Sequence, residues 1–170
     1  MRLTNRNNSI QRTVMDNKEI DFSRMIREHK STIYTVCYMF SNDKQEVDDL
    51  FQEVLVKLWQ GYDSFQGKSD LRTWIYRVSL NTCISIDRKK KRRKAQPLLE
   101  GIDLFDKNDA DNRQTDLLHE RIGKLQAFDR AIVLLWLEDM SYDEIAQIVG
   151  ISVKNVSVKL YRIKEQLKQM

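Results

Sequence analysis

The residue types best suited to chemistry are concentrated in one segment of this chain, "SDLRTWIYRVSLNTCISIDRKKKRRK" at 69–94. It begins with the aromatic residues Trp74 and Tyr76, contains a polar Asn81, and ends in an unbroken basic run, Arg88–Lys94. Aromatic rings stack on unpaired bases, and cations hold the phosphates beside them. The segment therefore indicates a surface for single-stranded nucleic acid, although a basic run alone is equally typical of a solvated helix end.

A second nucleic-acid-binding pattern lies near the C-terminus. In "SYDEIAQIVG", Ser141 and Glu144 have the spacing of a capping box, and Gly150 suits the left-handed residue that ends a helix. Ser152 then caps a last helix, so the pair predicts a helix-turn-helix rather than a plain helical hairpin. The outer face of the last helix carries base-contacting and phosphate-contacting types: Lys154, Asn155, Ser157, Lys159, Tyr161, Arg162 and Lys164.

An acidic and polar helix face forms a third candidate site. In the helix that starts near Lys44, the residues opposite the apolar stripe are Asp48, Asp49, Gln52 and Glu53. DNA would repel this face, so it is either ordinary solvated surface or a docking site for a protein partner with a basic helix.

Catalysis finds no support in the sequence. His29 and His119 are isolated, and Cys37 and Cys83 match no zinc-site spacing. The chain has no P-loop, no GxGxxG and no arrangement typical of a nucleophilic triad. We therefore predict no catalytic residue, no metal, no cofactor and no enzymatic activity.

Composition describes a folded protein with a locally basic surface. The 170 residues are 41% hydrophobic and 32% charged, with a formal net charge of +4. No apolar run approaches the roughly 20 residues of a membrane span, and the N-terminus lacks the apolar core of a signal peptide. Together with only two cysteines, this predicts a cytoplasmic protein that does not insert into membranes.

The elements that must position these candidate residues are helices. Five Gly and one Pro leave long amphipathic patterns uninterrupted, which predicts an all-α fold. We expect two small helical domains joined by a flexible linker, because Pro97 opens an acidic, aperiodic stretch. The predicted boundaries are a flexible tail at 1–19, a first domain at 20–94, the linker at 95–113 and a second domain at 114–170.

Three quoted segments resemble bacterial sigma factors of the sigma-70 family. "DDLFQEVLVKLW", "FQGKSDLRTWIYRVSLN" and the basic run look like region 2, and "SYDEIAQIVGISVKNVSVKLYRIKEQL" looks like region 4. Because only a short linker separates them, the chain resembles the small extracytoplasmic-function (ECF) group. The resemblance covers residues 20–94 and 115–168.

The resemblance implies a promoter-specificity subunit of RNA polymerase. Region 2 would dock on a coiled coil of the largest polymerase subunit through Asp49, Gln52 and Glu53. The same domain would hold the melted −10 strand, with the 61–70 loop forming a pocket for a flipped base. The matching residues, with the basic run gripping the backbone, are Lys57, Phe65, Asn81, Arg88, Lys89 and Arg92.

Region 4 would contact the flap of the second-largest subunit and place its recognition helix in the −35 major groove. The positions implied there are Lys154, Asn155, Ser157, Val158, Lys159, Tyr161, Arg162 and Lys164, with Lys159 and Lys164 on phosphates. Val158 stands where a small polar residue is usual, and Ser157 where a basic residue is usual. We therefore expect fewer direct contacts with bases and more recognition through DNA shape.

Two further points concern partners and alternatives. Sigma factors of this size often pair with an anti-sigma factor, which would cover one or both of these faces. The alternative function is a stand-alone helix-turn-helix regulator whose first domain senses a signal or dimerises. It would bind duplex DNA tightly by itself and would have no use for Gln52, Glu53 and the loop with Phe65.

Overall fold

The computed structural model of the protein describes the backbone of residues 3–65, 67, 69–94 and 113–170, and the side chains of 17–65, 67, 69–93 and 117–170. The described part is all-α, as predicted. Its seven helices are α1 (Leu3–Tyr38), α2 (Lys44–Phe65), α3 (Leu71–Lys94), α4 (Arg113–Gly123), α5 (Ala127–Leu137), α6 (Tyr142–Val149) and α7 (Val153–Gln169). No helix within these ranges is long and apolar enough to cross a membrane. The predicted linker lies almost wholly outside the described residues.

Helices α1, α2 and α3 pack into the N-terminal unit. The stripe predicted on α2 is confirmed, because Val47, Leu50, Val54 and Leu58 are buried at helical spacing. Asp43 caps α2 by accepting a hydrogen bond from the Glu46 backbone N–H at 2.8 Å. Helix α1 begins at Leu3, so its backbone is helical through much of the segment predicted to be a flexible tail.

Helices α4 to α7 form the C-terminal unit, and its local signals act as the sequence predicts. Ser141 and Glu144 make both hydrogen bonds of the capping box, and Gly150 ends α6 in the left-handed conformation at φ 75°. The Ser152 side chain accepts a hydrogen bond from the Asn155 backbone N–H, which starts α7. Val156, Leu160 and Ile163 of α7 pack inward.

The two units pack against each other through α3. Besides the residues facing α1 and α2, α3 buries Tyr76, Leu80 and Ile84, which form a second stripe. The Tyr76 hydroxyl donates to Glu138 at 3.1 Å, and Arg77 donates to the Gln147 carbonyl oxygen at 2.6 Å. This second stripe lies against α5 and α6.

Tyr76 therefore has a different environment from the one the sequence predicted. The sequence predicts a base-contacting surface for its ring, yet the ring is only 1% exposed. The position is buried because a second domain covers that side of α3. Hydrophobic periodicity within one helix does not reveal such a covering.

Candidate nucleic-acid interface

One face of α3 packs neither against α1 and α2 nor against the C-terminal unit. This face carries the residues predicted to bind single-stranded nucleic acid. Asn81 is exposed, and Arg88 and Arg92 follow it by seven and eleven residues, which places all three on one helix face. Lys89 is exposed beside them. Ion pairs within the described residues engage Lys90 with Glu46 and Lys91 with Asp87, but none involves Arg88, Lys89 or Arg92. The structure thus brings a polar amide and three available cations together.

An aromatic cluster closes the end of α2 next to the start of α3. Phe65 is the last residue of α2 rather than a loop residue, and its ring packs on Trp74 with centroids 4.8 Å apart. A Cβ on Gly61 would lie 3.3 Å from the Trp74 indole, so the indole rests directly on the α2 backbone. The half-buried Phe65 ring therefore has a packing role that the sequence did not show. Lys57 is exposed on α2 and donates to Gln60 at 3.2 Å.

The acidic face of α2 is exposed as predicted. Asp49, Gln52 and Glu53 recur at helical spacing, and Val56 continues the same face with half of its side chain exposed. No ion pair within the described ranges involves Asp49 or Glu53, so their negative charge is not neutralised internally. An acidic strip with an exposed apolar residue suits a basic protein surface and opposes DNA.

The last helix, α7, presents six of the eight predicted duplex-contacting residues to solvent. These exposed residues are Lys154, Asn155, Ser157, Val158, Tyr161 and Arg162. Their side chains lie in the first three turns of the helix, the part that a helix-turn-helix inserts into the major groove.

Lys159 and Lys164 are placed differently from the other six. Lys159 Nζ forms an ion pair with Asp129 of α5 at 2.7 Å, and Lys164 Nζ lies 4.0 Å from the centre of the Trp136 ring. Both cations tie α7 to α5. The resemblance to sigma factors implies phosphate contacts for both. It does not show their partners Asp129 and Trp136, which are distant along the chain.

A buried ion pair between the two units was not predicted. Arg130 of α5 donates to Asp87 of α3 at 2.7 Å, and the two side chains are only 6% and 15% exposed. Burial by itself would raise the pKa of Asp87, but hydrogen bonds from Lys91 and Arg130 outweigh it and hold that pKa below its usual 3.8. The Arg130 guanidinium carbon also lies over the Phe40 ring, 4.9 Å from the ring centre. The signal for this ion pair in the sequence is Arg130 itself, a charged residue inside the otherwise apolar run of α5.

The remaining chemistry-bearing residues have structural roles. Cys37 and Cys83 are both buried, and a hydrogen bond between their thiols, together with burial, raises the pKa of Cys83 above its usual value. A thiol held protonated is a poor nucleophile and a poor metal ligand. The His119 ring also has a packing role, since it stacks on the Tyr38 ring with centroids 4.3 Å apart. Across the described ranges, no group of three or more side chains could hold a metal ion.

Comparison with protein families matches both units separately. Residues 25–93 match Sigma-70 region 2, and residues 115–167 match Sigma-70, region 4. The two matches leave out the predicted linker and follow the order of the two structural units.

Individual relatives agree with the family matches. The chain is 26% identical to the ECF RNA polymerase sigma factor SigW of Bacillus subtilis over 165 residues, covering 87% of each protein. It is 34% identical to the ECF RNA polymerase sigma factor SigG of Mycobacterium tuberculosis over 87 residues, which are 51% of this chain but only 23% of that relative. The fold is similar to that of the sigma factor RpoE from Bartonella quintana, solved in complex with the anti-sigma factor NepR. The TM-score is 0.70 at 22% identity, covering 88% of this chain and 95% of that one.

Proposed function

Because the chain belongs to the sigma-70 family of RNA polymerase sigma factors, we propose that it binds core RNA polymerase and directs it to promoters as an ECF sigma factor. The observation that carries the proposal is the separation of three surfaces on one chain. An acidic face on α2, a polar and basic face on α3 and the outer face of α7 point to three different binding partners. No part of this activity requires a catalytic residue or a cofactor.

The acidic face of α2 is the proposed docking site for core polymerase. Asp49 and Glu53 carry negative charge that no ion pair among the described residues neutralises, Gln52 adds a polar amide, and the exposed Val56 adds an apolar contact. Such a strip complements a basic helical partner, for which we propose the coiled coil of the largest subunit. The flap of the second-largest subunit is the proposed partner of the C-terminal unit.

The free face of α3 is the proposed site for the melted −10 strand. Asn81 would hydrogen-bond an exposed base edge, and Arg88, Lys89 and Arg92 would hold the adjoining phosphates. Phe65 and Lys57, near the junction of α2 and α3, would contact an extruded base. Extracting a base costs a few kcal/mol, so a protein of this size needs the polymerase to keep the duplex open.

The outer face of α7 is the proposed reader of the −35 duplex, through Lys154, Asn155, Ser157, Val158, Tyr161 and Arg162. In this arrangement Lys159 and Lys164 fix α7 against α5, and their proposed contact with phosphates requires them to leave Asp129 and Trp136. The helix position is thereby set by side chains that the sequence assigned to DNA.

We further propose a cytoplasmic location and an anti-sigma partner. Core polymerase and promoter DNA are both cytoplasmic in bacteria, and the similar RpoE was solved with an anti-sigma factor. The stand-alone regulator gains no support, because residues 25–93 match Sigma-70 region 2, a match that such a regulator does not explain.

The proposal is tested by transcription in vitro with core polymerase of the source organism, with and without this protein, on a library of its genomic fragments. We expect discrete new transcripts whose start sites share one two-element motif. Binding of the protein to duplex DNA without binding to core polymerase, and without new transcripts, would instead establish a stand-alone regulator.

A further inference from the structure

The centre of the outer face of α7 is an apolar residue. Successive residues of an α-helix are rotated by about 100°, so the direction opposite the buried stripe of Val156, Leu160 and Ile163 is occupied by Val158. Its side chain is 41% exposed. Lys154 and Arg162 lie one turn before and one turn after it.

The placement of the neighbouring side chains makes this centre less polar than the sequence indicates. Lys159 and Lys164 are drawn toward α5 by Asp129 and Trp136, so neither flanks Val158 on the outer face. The residues that do lie beside Val158 are Tyr161, three positions later and 69% exposed, and Asn155, three positions earlier and also exposed. The face therefore has an apolar centre, formed by Val158 with the Tyr161 ring, between two cations, and Asn155 is its polar neighbour.

Apolar side chains find one specific partner in the major groove. Among the four base pairs, only those with thymine present a methyl group there, and the groups that distinguish the other edges are hydrogen-bond donors and acceptors. The cations at both ends of the apolar centre match the two phosphate backbones that border the groove. We propose that Val158, assisted by the Tyr161 ring, reads thymine methyl groups within the −35 element, an inference that rests on the proposed function of α7.

The proposal names a base and a chemical group, so it can be tested one methyl at a time. The −35 element is first identified by the genomic-library transcription described above. Each thymine in it is then replaced by deoxyuridine, which removes the methyl and leaves every hydrogen-bonding group in place. Affinity of the reconstituted holoenzyme is measured by titration on a fluorescently labelled promoter.

We expect at least one deoxyuridine substitution to weaken binding about fourfold, which corresponds to the transfer free energy of one methyl group. Val158→Ser should weaken binding to the thymine promoter by a similar factor and should make the thymine and deoxyuridine promoters equivalent. A matched control is Val153→Ser, because Val153 lies on the same helix, is 40% exposed and points away from the outer face. This control should keep the full deoxyuridine effect.

Three results would overturn the proposal. The −35 element could contain no thymine, deoxyuridine could have no effect at any position, or its effect could persist undiminished in Val158→Ser. In each case, loss of transcription on full replacement of the −35 element would leave the proposed function intact. Absence of any transcript with core polymerase would refute the proposed function itself, so the two failures are distinguishable.

Discussion

The ion pair between Asp87 and Arg130 should respond very differently to loss of either partner. Arg130 is 6% exposed and Asp87 is its only carboxylate partner within the described ranges. Asp87 is 15% exposed and has a second cation, Lys91, at 3.1 Å. Asp87→Ala therefore strands a buried charge, whereas Arg130→Met leaves a carboxylate that is still neutralised and adds apolar surface against Phe40.

The expected magnitudes follow from this asymmetry. Asp87→Ala, which leaves Arg130 buried without its carboxylate, should destabilise the closed packing of the two units by about 3 kcal/mol. This is the lower end of the range for breaking a buried pair, because water reaches the position of Asp87. Arg130→Met should cost about 1 kcal/mol, since Lys91 holds Asp87. Because the pair joins the two units, either loss favours their separation, and 3 kcal/mol shifts the ratio of open to closed protein about 150-fold.

Small-angle X-ray scattering measures the separation directly through the radius of gyration. We expect Asp87→Ala to increase it clearly and Arg130→Met to change it little. Adding Lys91→Met to Arg130→Met removes both cations that pair with Asp87 among the described residues and should open the protein further. If Arg130→Met opens the protein as much as Asp87→Ala does, the reasoning from unequal partners is wrong.

Four further outcomes are expected. The Asp87 pKa is depressed in the folded protein, so its contribution to the closed form is present above the usual value of 3.8. It is lost as pH falls below about 4, and scattering at constant ionic strength should show opening only in that range. Glu53→Lys should reduce affinity for core polymerase at least tenfold in a binding titration, because it reverses a charge in the acidic strip, and unchanged affinity would exclude this face. Asn81→Ala should slow open-complex formation, measured by permanganate reactivity of unpaired thymines, while leaving core binding intact. Gly150→Ala should lower the free energy of unfolding by about 1 kcal/mol, because φ is 75° there and no neighbour lies within 4 Å of an added Cβ. The control Gly123→Ala, equally open but without positive φ, should not.

Local signals allowed the helices and their caps to be predicted from the sequence. The stripe on α2, the capping box at Ser141 and the left-handed Gly150 depend on residues at most a few turns apart. The exposed faces of α2 and α7 followed from the same periodicity, because a side opposite an apolar stripe faces solvent unless another element covers it.

Contacts between distant residues account for what the sequence did not reveal. The buried Tyr76 donates a hydrogen bond to Glu138, which lies 62 positions away, and Lys159 donates one to Asp129, 30 positions away. Phe65 packs on Trp74 because α2 continues past the predicted loop boundary. In each case a polar or aromatic residue suited to DNA has a protein partner that only the tertiary structure supplies.

The packing of α3 against α5 and α6 also limits the distance between the DNA-contacting faces of α3 and α7. Two helices separated by one intervening helix have axes about 20 Å apart, and the 24 residues of α3 and 17 of α7 make helices about 36 and 26 Å long, so points on them lie less than about 65 Å from each other. Elements at −10 and −35 are separated by about 85 Å of straight duplex. A sigma factor in this arrangement therefore does not reach from one element to the other, and contacting both elements requires Arg130, Glu138 and the Gln147 carbonyl to leave their partners on α3. The free energy of that separation weakens promoter binding by the free protein, and a polymerase that holds the two units apart removes the penalty before DNA arrives.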